Sequence, residues 1–471
     1  MADSKGLTVK KNENFVDWYS EVVQKAELAD HSPVRGFMII RPRAYALWEN
    51  IQNYFNKVLR EKNVLNAYFP LLIPDYFFKK EAEHAQGFAP ELAYVEQKDD
   101  EQKLAIRPTS ETIMYDSYSK WIRSHRDLPL KLNQWCNVLR WEVKQTKPFV
   151  RTREFLWQEG HCAFATRDEA ENNMAEMMGS YQQMVEEMLA IPVLVGRKSK
   201  MEKFAGAITT LTMEAIMPDG KALQMGTSHN LGQNFAKSFN VMFKDKNEQD
   251  QYVWQTSWGF STRLIGALAM VHGDDKGLIV PPKVAANKIV IVPILFEDSR
   301  TKVLAQCKHL ASQLSEYGAI IDDSDKSPGW KFSEWEMKGI PLRIEIGPKD
   351  LDKKQVVMVR RDNNKKEIVA ENHIIESVKK NLEDIQKDLY LNAKKMLESK
   401  MDSARDIKQL IKKLEEGKIV KVFMVDDKRV EEKLKEETGA NSRIVEEESK
   451  EGECIVSGQK TKTIAYVARN Y

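Results

Sequence analysis

The chain has 471 residues, 42% hydrophobic and 30% charged, with a formal net charge of +2; that length predicts two or three domains with their own cores, and the near-neutral balance excludes a global positive field, so any RNA contact must use local patches. Four cysteines, at 136, 162, 307 and 454, form no CxxC pair, which excludes a disulfide framework and fits reduced thiols. No stretch approaches 18 uninterrupted apolar residues and MADSKGLTVKKNENF has no apolar run, so neither a membrane span nor a signal peptide is expected and the expected compartment is the cytoplasm.

Residues 14–30 carry Phe15, Trp18, Val22 and Ala26 at helical spacing. A short strand, VRGFMIIRP, follows, then a helix over 45–62 with Leu47, Ile51, Tyr54, Phe55, Val58 and Leu59 as its apolar stripe. AYFPLLIP (67–74) reads as a strand, and Pro70 makes it an edge or irregular one, because proline cannot donate to a ladder. After the loop EHAQGFAPELAYV, which holds Phe88, Thr109-Ser110-Glu111 precedes a helical pattern with Ile113, Met114, Tyr118 and Trp121. The simplest account is a helix N-terminus, with a Thr or Ser cap and an early glutamate facing the dipole. Such an ordered turn can also present a carboxylate.

The most informative stretch runs from 133 to 164, NQWCNVLRWEVKQTKPFVRTREFLWQEGHCAF. Period-2 alternation predicts a strand from Asn137 to Val143 with Arg140 and Glu142 on one face. A loop over 144–150 leads to a second strand with Arg153, Phe155, Trp157, Glu159 and His161 on one face. Paired as a hairpin, the two collect arginines, glutamates, a histidine and a tryptophan on one side. Antiparallel sheets often turn such a polar face to water. Phe155 and Trp157 argue for the alternative, a charged floor under a ligand with anionic and cationic parts. Guanidinium forks suit phosphate and carboxylate, and glutamates can receive an amine.

Residues 167–190 form one helical segment whose methionines read as core. Strand-like runs fill 191–217, and KALQMGTSHNLGQNF places Gln224, Thr227 and His229 at a glycine-containing strand end. SWGFSTRLIGALAMVHGD (257–274) reads as a strand turning into an apolar helix. Arg263 stands at its start, where the dipole disfavours a cation, so a buried arginine there needs an anion. Pro281 and Pro282 mark a boundary. Strands and helices then alternate, which predicts a small α/β domain with a mostly parallel sheet. One long lysine-rich helix or a helix pair is expected over 373–416, and short strands around the acidic VEEESKEGE in the tail 417–471.

The run RWE followed by RTREFLWQEGH resembles motif 2 of class II aminoacyl-tRNA synthetases, and among them the prolyl-tRNA synthetases of archaeal and eukaryotic type. The resemblance covers nearly the whole chain. It implies an α+β catalytic domain over 1–282, built on an antiparallel sheet flanked by helices. An α/β anticodon-binding domain over 287–372 and a small α+β C-terminal domain over 373–471 are implied to follow. The helix at 45–62 with its proline-bearing strand is similar to motif 1, which builds a homodimer interface in the family. SWGFSTR is similar to motif 3 in the form of the prolyl subgroup.

The implied reaction is that of a proline–tRNA ligase. L-Proline and ATP, with Mg2+, give prolyl-adenylate, and the prolyl group passes to tRNA(Pro). In the implied site Arg140 meets the α-phosphate and the proline carboxylate, while Arg151 and Arg263 hold the outer phosphates with magnesium. Glu142, Thr152, Gln224, Thr227 and Ser261 are implied nucleotide contacts. Phe88, Thr109, Glu111, Trp157, Glu159, His161 and His229 would form the proline pocket with Arg140. Glu336, Arg343 and Lys349 are placed to read anticodon bases. The family's C-terminal domain often holds zinc through CxxxxC and CxC. Here FMVDDKR replaces the first pair and only Cys454 remains of the second, so no zinc is expected, one thiol being too few for a tetrahedral site. Tyr471 matches the family's terminal tyrosine, whose carboxylate lies near the active site. Roughly ninety residues separate motifs 2 and 3, too few for the editing domain that many bacterial prolyl enzymes insert there. Two other readings are a non-catalytic RNA-binding or regulatory relative and an ATP-dependent ligase with another acceptor. Arg140 and Arg263 weigh against the first, the domain at 287–370 against the second.

Overall fold

The computed structural model describes residues 6–82, 91–96 and 102–471. Its frame, among the described residues, is an eleven-stranded sheet. The spatial order is 401–403, 419–423, 460–468, 441–453, 194–197, 209–216, 222–232, 254–261, 154–164, 130–139 and 65–66. The strands pair antiparallel except at the two ends, where they are parallel.

Alternation along Glu154–Phe164 sends Leu156, Gln158, Gly160 and Cys162 to one face and Phe155, Trp157, Glu159 and His161 to the other. The helices Pro42–Glu61 and Arg167–Leu189 cover the first face. The second of these helices starts on a capping box between Thr166 and Glu169. It buries Met177, Met178, Met184 and Val185, each worth about 1.5–3 kcal/mol relative to exposure. Trp48 and Phe55 of the first helix meet Trp135 and Phe260 edge to face. Only glycine fits at 160, because a Cβ there would stand 2.1 Å from the Trp258 ring.

Several local expectations change. The first hairpin strand runs Leu130–Leu139 instead of 137–143. Its register pairs Leu139 with Glu154 at the last rung, so Arg140, Trp141 and Glu142 leave the sheet in the connecting loop. Of AYFPLLIP (67–74) only Leu72–Pro74 is strand; another short strand, Leu65–Asn66, precedes the stretch, and Pro70 lies between the two. Ser110 occupies the N-cap of the helix Glu111–Trp121 without a side-chain cap bond, because its hydroxyl donates to Glu159 instead.

The α/β unit has five strands in the order 320–321, 289–293, 342–346, 355–360 and 366–370. The first three are parallel and the last two antiparallel, so the sheet is mixed and not mostly parallel. The tight Asp-Asn-Asn turn returns the chain beside itself, which only an antiparallel pair permits. The helix Ile374–Lys400 places Ile374, Val378, Leu382 and Ile385 in this unit's core. A short strand, Met401–Ser403, separates it from the helix Ile407–Glu415. In the tail the acidic VEEESKEGE does not lie between strands. It belongs to the strand Asn441–Glu453, paired with Lys460–Ala468. A helix, Lys428–Thr438, capped by Asp427, precedes it. The strand Asn441–Glu453 meets Leu194–Arg197 through Val445 and Arg197, joining the C-terminal strands to the central sheet. Among the described residues no helix is long and apolar enough to cross a membrane.

Candidate active site

The uncovered face of the 130–164 hairpin, with the strands 222–232 and 254–261, encloses a cavity of about 360 Å³. The register gives it two ends. At one, Trp157 stands opposite Ser261; at the other, His161 and His229 both stand opposite Ser257.

The first end is cationic. Arg263 begins the helix Arg263–His272, its Nε donating to the Val150 carbonyl at 3.0 Å and its Nη1 to the Gln224 carbonyl at 2.9 Å. Arg140, just past its strand, lies 5.3 Å from the Phe155 ring centre and 5.4 Å from that of Trp157. Its Nε donates to the Pro108 carbonyl at 3.4 Å. Among the described residues neither guanidinium is ion-paired to a carboxylate, and each keeps unused donors toward the cavity. Burial and the charges of Arg140, Arg443 and Arg151 bring Arg263 down to about 10, against Glu214. Burial lowers Arg140 as well, although Glu142, Glu111 and Glu159 oppose it. Guanidinium does not lose its proton at neutral pH, so both stay cationic, desolvated and mutually repelling, an arrangement that an incoming anion relieves.

The second end is a buried polar floor. Glu159, 2% exposed, accepts from the Ser110 hydroxyl at 2.5 Å, Gln134 Nε2 at 2.9 Å and His161 Nε2 at 3.1 Å. His161 Nδ1 lies 3.1 Å from the Tyr115 hydroxyl. Burial disfavours charge on both partners, yet their mutual hydrogen bond and charge prevail: Glu159 is held below the usual carboxylate range and His161 is raised. Glu111 adds a second carboxylate, hydrogen-bonded to Thr109. His229 is different: burial, then His161 and Lys198, push it down to about 3, and it faces the cavity neutral, its Nδ1 2.9 Å from the Thr210 hydroxyl. Ligand atoms of Glu111, Glu159 and His161 lie within 4.8 Å of one another. Two buried carboxylates, Glu159 bonded to His161 and Glu111 bonded to Thr109, offer acceptor oxygens and negative charge that suit an organic ammonium.

Of the residues expected at the site, all but three line the cavity. Arg151 is exposed beside it, its backbone exchanging hydrogen bonds of 2.8 and 2.9 Å with Lys147. Thr152 is buried and donates to the Glu154 carbonyl at 2.7 Å. Phe88 lies outside the described residues. In the α/β unit Arg343 is held by Glu336 and Glu345, each at 3.0 Å, while Lys349 is exposed in the helix Pro348–Asp352. Lys198, Glu202, Phe204 and Thr210 also line the cavity and were missed. The pairing of Thr210 with His229 could have disclosed one of them. Tyr471 is no frayed end: its hydroxyl donates to Asp219 at 2.6 Å, and Lys147 lies 4.7 Å from its ring centre.

Three family models match the chain. They are the tRNA synthetase class II core domain (G, H, P, S and T) over 94–272, the anticodon binding domain over 288–381 and the prolyl-tRNA synthetase C-terminal domain over 407–471. A proline–tRNA ligase of Natranaerobius thermophilus is 48% identical over 455 residues, 95% of this chain and 94% of the relative. One from Cenarchaeum symbiosum is 46% identical over 473 residues, 99% of each chain. The cytoplasmic proline–tRNA ligase of Arabidopsis thaliana is 46% identical over 483 residues, 99% of this chain and 91% of the relative.

Proposed function

We propose, because the chain belongs to the class II prolyl-tRNA synthetases, that its cavity joins L-proline to MgATP and that the prolyl group then passes to the 3′ end of tRNA(Pro). The observation that carries the reading is the pair Arg140 and Arg263, facing one cavity with no carboxylate partner among the described residues. A carboxylate and an α-phosphate repel each other, and activation needs that repulsion cancelled with the attacking oxygen in line with the leaving pyrophosphate. Arg140, at the cationic end beside Trp157, takes the α-phosphate and the proline carboxylate. Arg263, with Arg151 at the rim, takes the outer phosphates, which arrive with their magnesium as part of the substrate.

Gln224, Thr227 and Ser261 border the nucleotide, with Glu142 toward the adenine amino group and Thr152 fixing the loop. The secondary ammonium of proline meets Glu111, Thr109 and the Glu159–His161 floor. Trp157 and His229 wall its ring, with Phe88 as its cover. The domains divide at 1–282, 287–372 and 373–471, the helix 374–400 bridging the last two. Glu336, Arg343 and Lys349 face the anticodon. The enzyme acts in the cytoplasm as a homodimer, through a surface including Leu65, Tyr68 and Tyr76, which are 67%, 71% and 54% exposed. No structural zinc is included. The Cys454 thiol is buried and accepts from two backbone N–H groups, of Val425 and Ser457, and the other cysteines lie in other domains.

The test is amino-acid-dependent exchange of pyrophosphate into ATP by the purified chain. Proline should support it far better than alanine, glycine or threonine; a better alternative among these overturns the reading. RNA binding with no adenylate formed would establish a non-catalytic relative.

A further inference from the structure

We infer that the C-terminal domain braces one wall of the activation cavity, with Arg443 as a positioning residue acting through Glu214 on Lys198. Lys198 and Glu202 line the cavity and belong to the connection 197–202, Arg-Lys-Ser-Lys-Met-Glu. Arg197, Lys200 and Glu202 of that connection hydrogen-bond the C-terminal domain. Arg197 donates to Asp426 at 2.8 Å, and the same carboxylate accepts from the Lys200 backbone N–H at 2.8 Å. Burial raises the Glu431 carboxyl, and Ser199 is among the groups that oppose the rise. Glu202 accepts from Asn441 Nδ2 at 2.5 Å and lies 3.8 Å from Arg443.

Glu214 is the pivot. Fully buried, it accepts from Lys198 Nζ at 2.9 Å and from the Arg443 guanidinium at 3.1 and 3.2 Å. Two cations, Lys198 and Arg443, are thus matched to two carboxylates, Glu214 and Glu202, across a domain boundary. Removing Arg443 leaves Lys198 alone with both, and a buried cluster stripped of one member must rearrange. The wall that would move is the His229 end. The Lys198 N–H donates to the Thr210 carbonyl at 2.8 Å, the Thr210 hydroxyl meets His229 Nδ1, and the Phe204 ring centre lies 4.8 Å from that of His229. At the nucleotide end Arg263 is held by the backbone carbonyls of Val150 and Gln224; the clamp reaches it through charge, and there Glu214 and Arg443 oppose each other.

This inference rests on reading the cavity as the proline-activation site. Its test uses the full chain carrying Arg443→Met, with thermal unfolding and with KM for proline and for MgATP measured separately by pyrophosphate exchange. The expected result is a KM for proline raised about tenfold and a KM for MgATP changed less than about twofold. Arg443→Lys, which keeps the charge and loses the fork, should recover part of the effect. Glu214→Gln should show the same split, and the Arg443→Met/Glu214→Gln double variant should fall short of the product of the two effects. Should Arg443→Met fail to fold, Asp426→Asn at the outer end of the clamp must show the split in weaker form. A folded variant with both constants unchanged, or both raised equally, overturns the inference. Wild-type protein without proline-dependent exchange would instead overturn the reading of the cavity.

Discussion

The cavity and the α/β domain both withdraw arginines from water, and they satisfy them in opposite ways. In the α/β domain Arg343 is held by Glu336 and Glu345, Arg360 by Asp362 and Asp388, and Arg361 grips Asp274 with two bonds of 2.6 and 2.9 Å. In the cavity, among the described residues, Arg140 and Arg263 have only backbone carbonyls and aromatic faces. A guanidinium already matched by carboxylates has its partner within the fold. One left with carbonyls reserves its remaining donors for something that arrives.

The largest way to break this contrast is Arg140→Ala. Pyrophosphate exchange should fall by at least about 10²–10³-fold, the scale of losing a preorganised charge donor, with the melting temperature nearly unchanged. Retained exchange, or a large loss of stability, would place Arg140 among the matched arginines. Next in size is Arg361→Met, which strips a partner from Asp274 across the domain junction. It should cost roughly 2–3 kcal/mol, less than for a fully buried pair because Asp274 is partly exposed, and leave exchange per folded molecule within about twofold. Denaturant unfolding beside exchange assays decides it. Arg343→Ala sharpens the contrast further, because this arginine is matched yet proposed to meet RNA. We expect about a tenfold loss in kcat/KM for tRNA charging, with exchange untouched. Loss in both assays would make its contact to Glu336 and Glu345 purely structural.

The smallest effect is in pH. The folded value of His161 lies above 6.5: burial opposes this, but the Glu159 bond and the charges of Glu111 and Glu159 outweigh it. Its stabilisation is therefore complete below about pH 6.5 and fades as pH rises through the folded value. His229, pushed to about 3, contributes above pH 6.5 and fades as pH falls toward 3. The gap in unfolding free energy between wild type and His161→Gln should shrink on the alkaline side. A gap constant with pH would show that His161 does not titrate with its floor partner.

The parts legible in sequence were those where alternation or helical period coincides with burial. Phe155, Trp157, Glu159 and His161 share one face as their spacing says, and the methionine helix 167–189 is core. Boundaries set by partners were not legible. Nothing in Leu139-Arg140-Trp141 announces the end of a strand; that end comes from the rung opposite Glu154. The acidic half of the strand Asn441–Glu453 is mostly exposed, so it lacks the apolar alternation of a half-buried strand, and its pairing comes from Lys460–Ala468. The helix Lys428–Thr438 buries little besides Leu434 and Glu431, too thin a stripe to read. Lys198 was invisible as a cavity residue because its carboxylate partners lie at 202 and 214 and the arginine that balances them at 443.

The rung between Val445 and Arg197 gives the order of synthesis a meaning. A ribosome makes the strands flanking 197–202 long before it makes the residues that brace them. A nascent chain can therefore complete its hairpin and helices early and still lack the brace of that wall until Asp426, Asn441 and Arg443 emerge.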